Sequence, residues 1–231
     1  MLLKELRTAV LEANLELVKR GLVLYTFGNA SGIDREQGLI VIKPSGVDYD
    51  ELRPEYMVVT DLQGNIVDGK FKPSSDLDTH TLLYREFLTI GAVVHTHSEY
   101  ATSFAQAGLA IPALGTTHAD YFHGPVPVTE VLTDQAIEGR YVHETGVAIV
   151  ERFKGIDPLA IPAVLVAGHA PFCWGRNPHD AAHNAVVLEA VARMAYRTLT
   201  LRTSCEGVSQ ALLDRHYFRK HGSTATYGQS S

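Results

Sequence analysis

The chain begins with apolar positions at helical spacing. From Leu3 to Lys19 apolar residues recur every three or four positions, which predicts an amphipathic helix, and Gly21 ends it. The stretches LVLYTFGNASGID and GLIVIKPSGVDY predict strands interrupted by turns rich in Gly, Asn and Ser. MVVTDLQGNIVDG predicts a hairpin around Gln63-Gly64-Asn65. The first third of the chain therefore combines one helix with several short strands.

The middle of the chain mixes both patterns. FKPSSDLDTHTLLYREF begins as a loop and continues as a helix, for which Ser75 or Asp76 is the predicted N-cap. The apolar run GAVVHTH predicts a buried strand, and a helix follows near residues 99–107. Beyond this helix we predict a strand-rich middle that leads to VAIVERF.

The last third predicts one more strand and two helices. AVLVAGHAPFCWG predicts a buried strand that runs into a loop. Asn177 as cap and Pro178 at the first helical position begin a long helix that continues to about Arg197. A final helix is predicted near residues 209–220, before a tail rich in Gly and Ser. The whole pattern predicts one α/β domain over residues 1–231, with a mixed sheet covered by helices.

Composition narrows the possible functions. The 231 residues are 45% hydrophobic and 20% charged, an ordinary balance for a globular protein. The net charge of −6 argues against nucleic-acid binding, since there is no dense Lys/Arg run. The charged start is unlike a signal peptide, and IPAVLVAGHAPFCW is too short and too interrupted to cross a membrane. The two cysteines form no metal or disulfide pattern, so we expect a reducing, cytoplasmic setting.

Three histidines follow apolar runs. His95 and His97 end the run GAVVHTH, where strand alternation places both side chains on the same side. His169 follows the second apolar run, PAVLVAG. Three neutral imidazoles would suit Zn²⁺ or a similar divalent ion and leave one coordination position open. Spacing alone leaves a second possibility open, namely histidines satisfied in the core or at the surface.

Polar turns offer possible contacts for an anion. Lys43-Pro44-Ser45-Gly46 and Lys72-Pro73-Ser74-Ser75-Asp76 carry hydroxyls and backbone N–H groups, and the second turn precedes a predicted helix. Gly28-Asn29-Ala30-Ser31 is a third small polar turn. Each turn is also explained by ordinary turn chemistry, so none of them alone predicts a phosphate site.

Other polar residues favour structural roles on local grounds. Asp120 in TTHAD favours a solvated turn, and Tyr227 favours a frayed terminus. His179 and His183 have the spacing of a helical metal pair, but HDAAH lacks the glutamate of a metalloprotease helix. The remaining histidines in polar or mixed contexts are interpreted as surface residues: His80, His123, His143 and His221.

Taken together, the chain resembles the class II aldolase/adducin superfamily. The resemblance rests on EANLEL, GNAS, VIKPSGVDY, KPSSD, VVHTHSEYAT, GTTHADYFHG, ETG, GHAPFCWG and HYFRKHG with the closing YGQ. These stretches occur in order from residue 12 to residue 229, and the combination of KPSGVDY, HTH and GTTHADYF is specific. Two positions depart from the usual pattern, since Ala170 replaces a glycine and Phe27 a tryptophan. If that glycine has a positive φ, we expect a shifted loop after His169.

The resemblance implies a role for each motif. It places the metal ligands on His95, His97 and His169, with Asp76 beside or on the ion. It places an acid/base pair on Asp120 and Tyr227. The implied phosphate and substrate contacts are Gly28, Asn29, Lys43, Ser45, Gly46, Ser74 and Ser75.

The family fold also implies an architecture and an assembly. It is a three-layer α/β/α domain with a central, mainly antiparallel or mixed sheet. Its members form a cyclic homotetramer with sites at subunit interfaces, so Asp120 and Tyr227 would reach the metal from the neighbouring subunit. The implied metal is divalent, with Zn²⁺ expected first and Mn²⁺ or Co²⁺ as alternatives.

Within the superfamily, the HADYF and YGQ motifs favour the sugar-phosphate 4-epimerases of carbohydrate catabolism, such as that of arabinose. The implied activity interconverts L-ribulose 5-phosphate and D-xylulose 5-phosphate by cleaving and re-forming the C3–C4 bond. The nearest rival is an aldolase of the L-fuculose 1-phosphate type, which carries Glu where this chain has Asp76. Adducin-like interaction proteins lack the metal histidines, and a structural zinc site would favour cysteine ligands.

Overall fold

The fold is built on an antiparallel sheet. The computed structural model describes residues 1–221 and residue 225. Seven strands lie in the order β4-β3-β2-β1-β5-β7-β6, and every neighbouring pair is antiparallel. The strands are β1 (Asn29–Asp34), β2 (Leu39–Ile42), β3 (Val58–Asp61), β4 (Ile66–Asp68), β5 (Ala92–His95), β6 (Ala163–Leu165) and β7 (Pro171–Gly175).

Helices cover both faces of this sheet. They are α1 (Lys4–Lys19), α2 (Leu77–Glu86), α3 (Glu99–Gln106), α4 (Thr116–Ala119), α5 (Asp134–Glu138), α6 (Tyr141–Arg152), α7 (Pro178–Leu201) and α8 (Gln210–His221). In β1, Gly32 abuts α1 and α7, whereas the adjacent Ser31 contacts α2 from the opposite face. The predicted three-layer α/β/α class is thus confirmed. Among the described residues, no helix is both long and apolar enough to span a bilayer.

The first and last long helices agree with their sequence patterns. Val10 and Leu17 of α1 are buried, and Asn14 joins α1 to β1 by accepting from the Ala30 N–H at 2.9 Å. Asn177 caps α7, since its side-chain oxygen accepts from the Asp180 N–H at 2.9 Å. The core between the layers is rich in aromatic residues, with Phe87, Phe153 and Trp174 packed together.

The predicted strand-rich middle is wrong. The region between α3 and β6 contains α4, α5 and α6, together with isolated bridges such as the one joining Ile111 and Val126. Thr145 and Ile149 of α6 are buried four residues apart, and Gly146 lets the helix approach Leu82 of α2 closely. Tertiary packing of this stripe thus overrides the strand preference of the β-branched residues.

The second apolar run forms a hairpin, where we predicted one strand running into a loop. β6 and β7 pair through a turn that carries His169. Gly168 supplies the positive φ of this turn (+70°), and Ala170 is buried with an ordinary φ. The substitution of the family glycine by Ala170 therefore needs no left-handed backbone at that position.

Candidate active site

The three predicted metal-ligand histidines converge. His95 ends β5, His97 follows it by two residues, and His169 lies in the β6–β7 turn. Their ring centroids are 4.9, 4.9 and 5.0 Å apart, and one nitrogen of each lies within 4.8 Å of the others. The Nε2 atoms of His95 and His97 are 3.1 Å apart. This is the arrangement that three imidazoles need to share one cation.

Neighbouring groups fix the orientation of two of these rings. His95 Nδ1–H donates to the Pro171 carbonyl oxygen at 2.9 Å, which leaves its Nε2 lone pair facing His97. Phe172 stacks on His95 with a centroid distance of 4.2 Å. The Tyr141 hydroxyl lies 3.3 Å from Nδ1 of His169. Metal-binding histidines are commonly oriented in this way through their second nitrogen.

The electrostatics favour neutral imidazoles beside an ionised carboxylate. Burial lowers the pKa of His95 to about 3, although Asp76 opposes the shift, and burial also lowers the pKa values of His97 and His169. Burial raises the pKa of Asp76. The neighbouring His95 and His80 lower it by a larger amount, so the net shift of this pKa is downward. Three lone-pair nitrogens and a carboxylate fit a divalent ion with an open coordination position.

The predicted substrate and metal residues line one cavity of about 550 Å³. Its lining includes every predicted contact residue: Gly28, Asn29, Lys43, Ser45, Gly46, Ser74 and Ser75, together with Asp76 and the three histidines. Asn29 Nδ2 donates to Asp76 Oδ2 at 2.6 Å, so this carboxylate faces the cavity wall. Asp76 occupies the predicted N-cap position of α2 without capping it by a side-chain hydrogen bond.

The two Lys-Pro-Ser turns are joined to each other. The Ser45 N–H donates to the Lys72 carbonyl oxygen, and the Ser74 N–H donates to the Lys43 carbonyl oxygen, both at 2.9 Å. Pro44 and Pro73 form an isolated antiparallel bridge between the turns. The serine hydroxyls therefore belong to one continuous wall of the cavity.

Lys43 places a buried positive charge in this wall. Its Nζ donates to the carbonyl oxygens of Pro44 and Val47, at 3.3 and 3.1 Å, and lies 4.7 Å from the Tyr49 ring centroid. In the described part of the chain no carboxylate lies within ion-pairing distance of it. Burial lowers the pKa of Lys43, and Asp48 partly opposes that shift. An anion in the cavity would compensate this charge.

Gly28 brings the first polar turn against the histidines. Its φ is +89°, and a Cβ built on it would lie 2.8 Å from both the His95 carbonyl oxygen and Cγ1 of Val23. A side chain therefore has neither the conformation nor the space it needs here. Glycine at this position allows the turn to touch the end of β5.

Asp120 lies outside this cavity. It follows α4 and contacts α8, where its carboxylate accepts from His216 Nδ1 at 2.9 Å and from Arg219 Nη2 at 3.0 Å. Lys220 Nζ is 3.4 Å away. Burial raises the pKa of Asp120, but the bonds from His216 and Arg219 outweigh it, and the net shift is downward. Tyr227 lies outside the described residues.

The histidines assigned to the surface differ among themselves. The assignment is wrong for His80, which is fully buried behind Asp76 on α2. His123 is half-buried and bonds Asp214 at 2.7 Å. His179 and His183 are exposed and belong to no three-residue metal cluster among the residues described.

The sequence interpretation missed part of the cavity lining. Tyr141 and Val142 line it from the start of α6, a region predicted to be strand-rich. Thr26 and Phe27 contribute from the loop before β1. The ETG stretch, which begins at Glu144, is part of the family pattern and could have drawn attention to this region. Tyr141 lies three residues earlier, and only the helical structure of α6 shows that it lies beside His169.

The fold and the histidine cluster together define a class of protein. The family described as Class II Aldolase and Adducin N-terminal domain matches residues 8–196, and the chain belongs to this family. L-ribulose-5-phosphate 4-epimerase UlaF of Salmonella paratyphi B is 48% identical over 227 residues, which cover 98% of this chain and 100% of that protein.

Solved structures agree with this assignment. An L-fuculose 1-phosphate aldolase superposes with a TM-score of 0.80 at 26% identity, covering 92% of this chain and 94% of that chain. An L-fuculose-1-phosphate aldolase from Thermus thermophilus shares the fold, with a TM-score of 0.68 at 23% identity over 87% of this chain and 98% of that one. The predicted family and fold class are confirmed.

Proposed function

We propose that this chain is a metal-dependent 4-epimerase that interconverts L-ribulose 5-phosphate and D-xylulose 5-phosphate. The observation that carries the proposal is the 48% identity to an L-ribulose-5-phosphate 4-epimerase along that protein's whole length. The cavity supports it, because predicted metal ligands and predicted phosphate contacts line the same space. We further propose that residues 1–231 act as one domain in the cytoplasm, with Zn²⁺ as the first candidate metal.

The chemistry explains why such a cavity is needed. The C4 hydrogen of a 2-ketose is not adjacent to the carbonyl and is therefore not acidic. Cleaving the C3–C4 bond avoids this problem, since a retro-aldol step gives a dihydroxyacetone enediolate and glycolaldehyde phosphate. Rotation of the aldehyde followed by re-addition inverts C4. A bound divalent ion supplies Lewis-acid stabilisation of the negative charge that develops during cleavage.

The phosphate wall has a distinct task in this reaction. The aldehyde group of glycolaldehyde phosphate must rotate so that its opposite face meets the enediolate, and the molecule must not leave the cavity meanwhile. Its phosphate therefore has to stay anchored while the aldehyde rotates. The Lys43 charge and the hydroxyls of Ser45, Ser74 and Ser75 would provide this anchor. Asn29 would hold the Asp76 carboxylate in place beside the histidines.

Proton transfer requires groups on both faces of the aldehyde. We propose that Asp120 and Tyr227 supply them from a neighbouring subunit of a cyclic homotetramer. Because the pKa of Asp120 is shifted downward, its carboxylate would begin a turnover as a proton acceptor at neutral pH. The position of Asp120 outside the cavity of its own chain agrees with a role in another subunit's site.

One assay tests the reaction. Purified protein loaded with Zn²⁺ or Mn²⁺ is given L-ribulose 5-phosphate, and formation of D-xylulose 5-phosphate is followed. A second substrate, L-fuculose 1-phosphate, is assayed in parallel, because an aldolase of that name shares 26% identity and a TM-score of 0.80. Cleavage of L-fuculose 1-phosphate without epimerisation of the pentulose would replace the epimerase proposal by an aldolase.

Subunit mixing tests the shared site. Asp120→Asn and His97→Ala chains are each expected to be inactive alone, the first with its metal affinity intact. In mixed tetramers roughly a quarter of the sites would combine an intact metal cluster with an intact Asp120, and activity should return in that proportion. Mixtures as inactive as the separate variants would show that both residues act within one chain.

A further inference from the structure

Helix α3 connects two of the three histidine segments. It begins two residues after His97, and in its last turn the Ala105 carbonyl oxygen accepts from the Gly168 N–H at 2.9 Å. Gly168 directly precedes His169 in the turn between β6 and β7. The position of α3 therefore affects both His97 and His169, whereas His95 is held by the pairing of β5 with β1 and β7.

The start of α3 is capped by a residue from another helix. Ser98 occupies the N-cap position with an extended backbone, yet its side chain makes no capping hydrogen bond. An N-cap side chain normally accepts from the N–H of the second or third helical residue, which here are Tyr100 and Ala101. Both N–H groups donate instead to Glu189 of α7, to Oε1 at 2.9 Å and to Oε2 at 3.0 Å. Glu189 thus takes the role that Ser98 would have in a locally capped helix.

The Glu189 cap links α3 to α7. One carboxylate oxygen serves each N–H, and the carboxylate lies at the positive end of the α3 dipole. Two turns further along α7, the Tyr196 ring packs against Tyr100 with a centroid distance of 5.7 Å. A cap made by Ser98 would belong to the same segment as His97 and would move with it. The Glu189 cap instead fixes that segment relative to α7.

His97 needs such support because its ring has few partners. It is exposed, and within the described part of the chain its ring is hydrogen-bonded to no group other than His95. Residues 96–98, which carry it, belong to neither β5 nor α3. The flanking elements must therefore hold this segment, β5 through the sheet and α3 through α7. Helix α7 is in turn joined to β7, because Asn184 Nδ2 donates to the Trp174 carbonyl oxygen at 2.9 Å.

We propose that Glu189 is a positioning residue for the metal site, which holds His97 and His169 in place by capping α3. The inference rests on the proposed function in one respect, since it takes these two histidines as metal ligands. Glu189 does not line the cavity, so it would touch neither metal nor substrate. It acts through the backbone of α3, whose two ends adjoin the two histidine segments.

Glu189→Ala separates positioning from helix stability. Without the carboxylate, the Ser98 hydroxyl is free to cap α3 locally, so the unfolding temperature of the metal-free protein should fall by less than about 4 °C. The link between α3 and α7 is nevertheless lost. We therefore expect Zn²⁺ affinity to fall by about tenfold, the lower end of the usual effect of losing an outer-shell partner. Zn²⁺ affinity is measured by competition with a chromophoric chelator, and thermal unfolding is recorded for each variant.

Asn177→Ala is the matched control. Asn177 also caps a helix, since its side-chain oxygen accepts from the Asp180 N–H at 2.9 Å. It lies at the opposite end of β5 from His95, where Gly91 approaches the backbone of Arg176 and Asn177. Loss of this cap should lower the unfolding temperature by about 2–4 °C without changing Zn²⁺ affinity. A loss of affinity equal to that of Glu189→Ala would show that general destabilisation, and not positioning, weakens the site.

A conservative variant keeps the test decisive if Glu189→Ala fails to fold. Glu189→Gln retains one acceptor oxygen but turns an amide N–H₂ towards the second backbone N–H. It should therefore weaken Zn²⁺ binding, by less than Glu189→Ala where both variants fold. Wild-type Zn²⁺ affinity in the Glu189 variants that fold would overturn the proposal.

The outcomes also distinguish this inference from the proposed function. A wild-type protein that binds Zn²⁺ but does not epimerise L-ribulose 5-phosphate would contradict the proposed function. The positioning role would still stand if the Glu189 variants bind Zn²⁺ more weakly. Conversely, an active wild type whose Glu189 variants keep their Zn²⁺ affinity would remove only the positioning role.

Discussion

Gly28→Ala is expected to damage both the fold and the metal site. Gly28 has a φ of +89°, and the added Cβ would lie 2.8 Å from the carbonyl oxygen of His95. That oxygen is part of the His95 backbone at the end of β5, so it cannot move without displacing His95 itself. Relief of the contact must therefore displace the β1 turn, His95, or both.

Two contributions set the magnitude. Left-handed backbone in a non-glycine residue lowers stability by about 1–2 kcal/mol. Overpacking against fixed neighbours adds about 1–3 kcal/mol. We therefore expect the free energy of unfolding to fall by about 2–5 kcal/mol, a large part of the stability of an ordinary domain.

Gly21→Ala is the matched control. Gly21 has a similar φ of +69°, but a Cβ there would meet nothing within 4 Å, so only the backbone contribution of about 1–2 kcal/mol applies. Urea denaturation of both metal-free variants gives the two losses, and chelator competition gives their Zn²⁺ affinities. Gly28→Ala should be the less stable of the two and should bind Zn²⁺ more weakly than wild type. Equal losses of stability, with wild-type Zn²⁺ affinity in both variants, would refute the argument from close packing.

Three further predictions concern the metal, the pH and Tyr141. Removal of metal by a chelator should abolish epimerisation. Zn²⁺ at 100 times its dissociation constant should raise the free energy of unfolding by about 2.7 kcal/mol. An unfolding temperature that does not change when Zn²⁺ is added would contradict this prediction. Burial lowers the pKa of His80 to about 4, against an ordinary value of 6.5. Between about pH 6.5 and 4, His80 is therefore protonated in the unfolded chain but stays neutral in the folded chain. Stability of the metal-free protein should therefore fall as pH drops from about 6.5 to 4, and urea denaturation should show a shallower fall in His80→Gln. Tyr141→Phe removes the hydroxyl 3.3 Å from His169 and should weaken Zn²⁺ binding by less than about tenfold without loss of thermal stability; unchanged binding would show that the hydroxyl does not orient the ring.

The sequence predicts the parts of the site that lie on local motifs. His95 and His97 could be placed together because strand alternation is a local rule, and the two Lys-Pro-Ser turns are recognisable as turns. The apolar run before His169 already made it a candidate third ligand. Spacing left core or surface histidines equally open, and the family resemblance decided between the two, since no local rule brings residue 169 next to residue 95.

The incorrect predictions, namely the strand-rich middle and the surface position of His80, have a common physical cause. Thr145 and Ile149 have a strand preference that is overridden by packing against α2. His80 looks polar in its local context, and only the pairing of β1 with α2 shows that its partner is Ser31, 49 positions away. Contacts of this range depend on the tertiary fold and leave no periodic signal in the chain.

The mutual hydrogen bonds of the two Lys-Pro-Ser turns have a consequence for substrate selection. Because Ser45 is tied to Lys72 and Ser74 to Lys43, neither turn can shift without the other, and Asp76 follows the second turn directly. In the proposed function this couples the phosphate end of the cavity rigidly to its metal end. With this distance fixed, the cavity would select sugar phosphates by the number of carbons between the phosphate and the keto group.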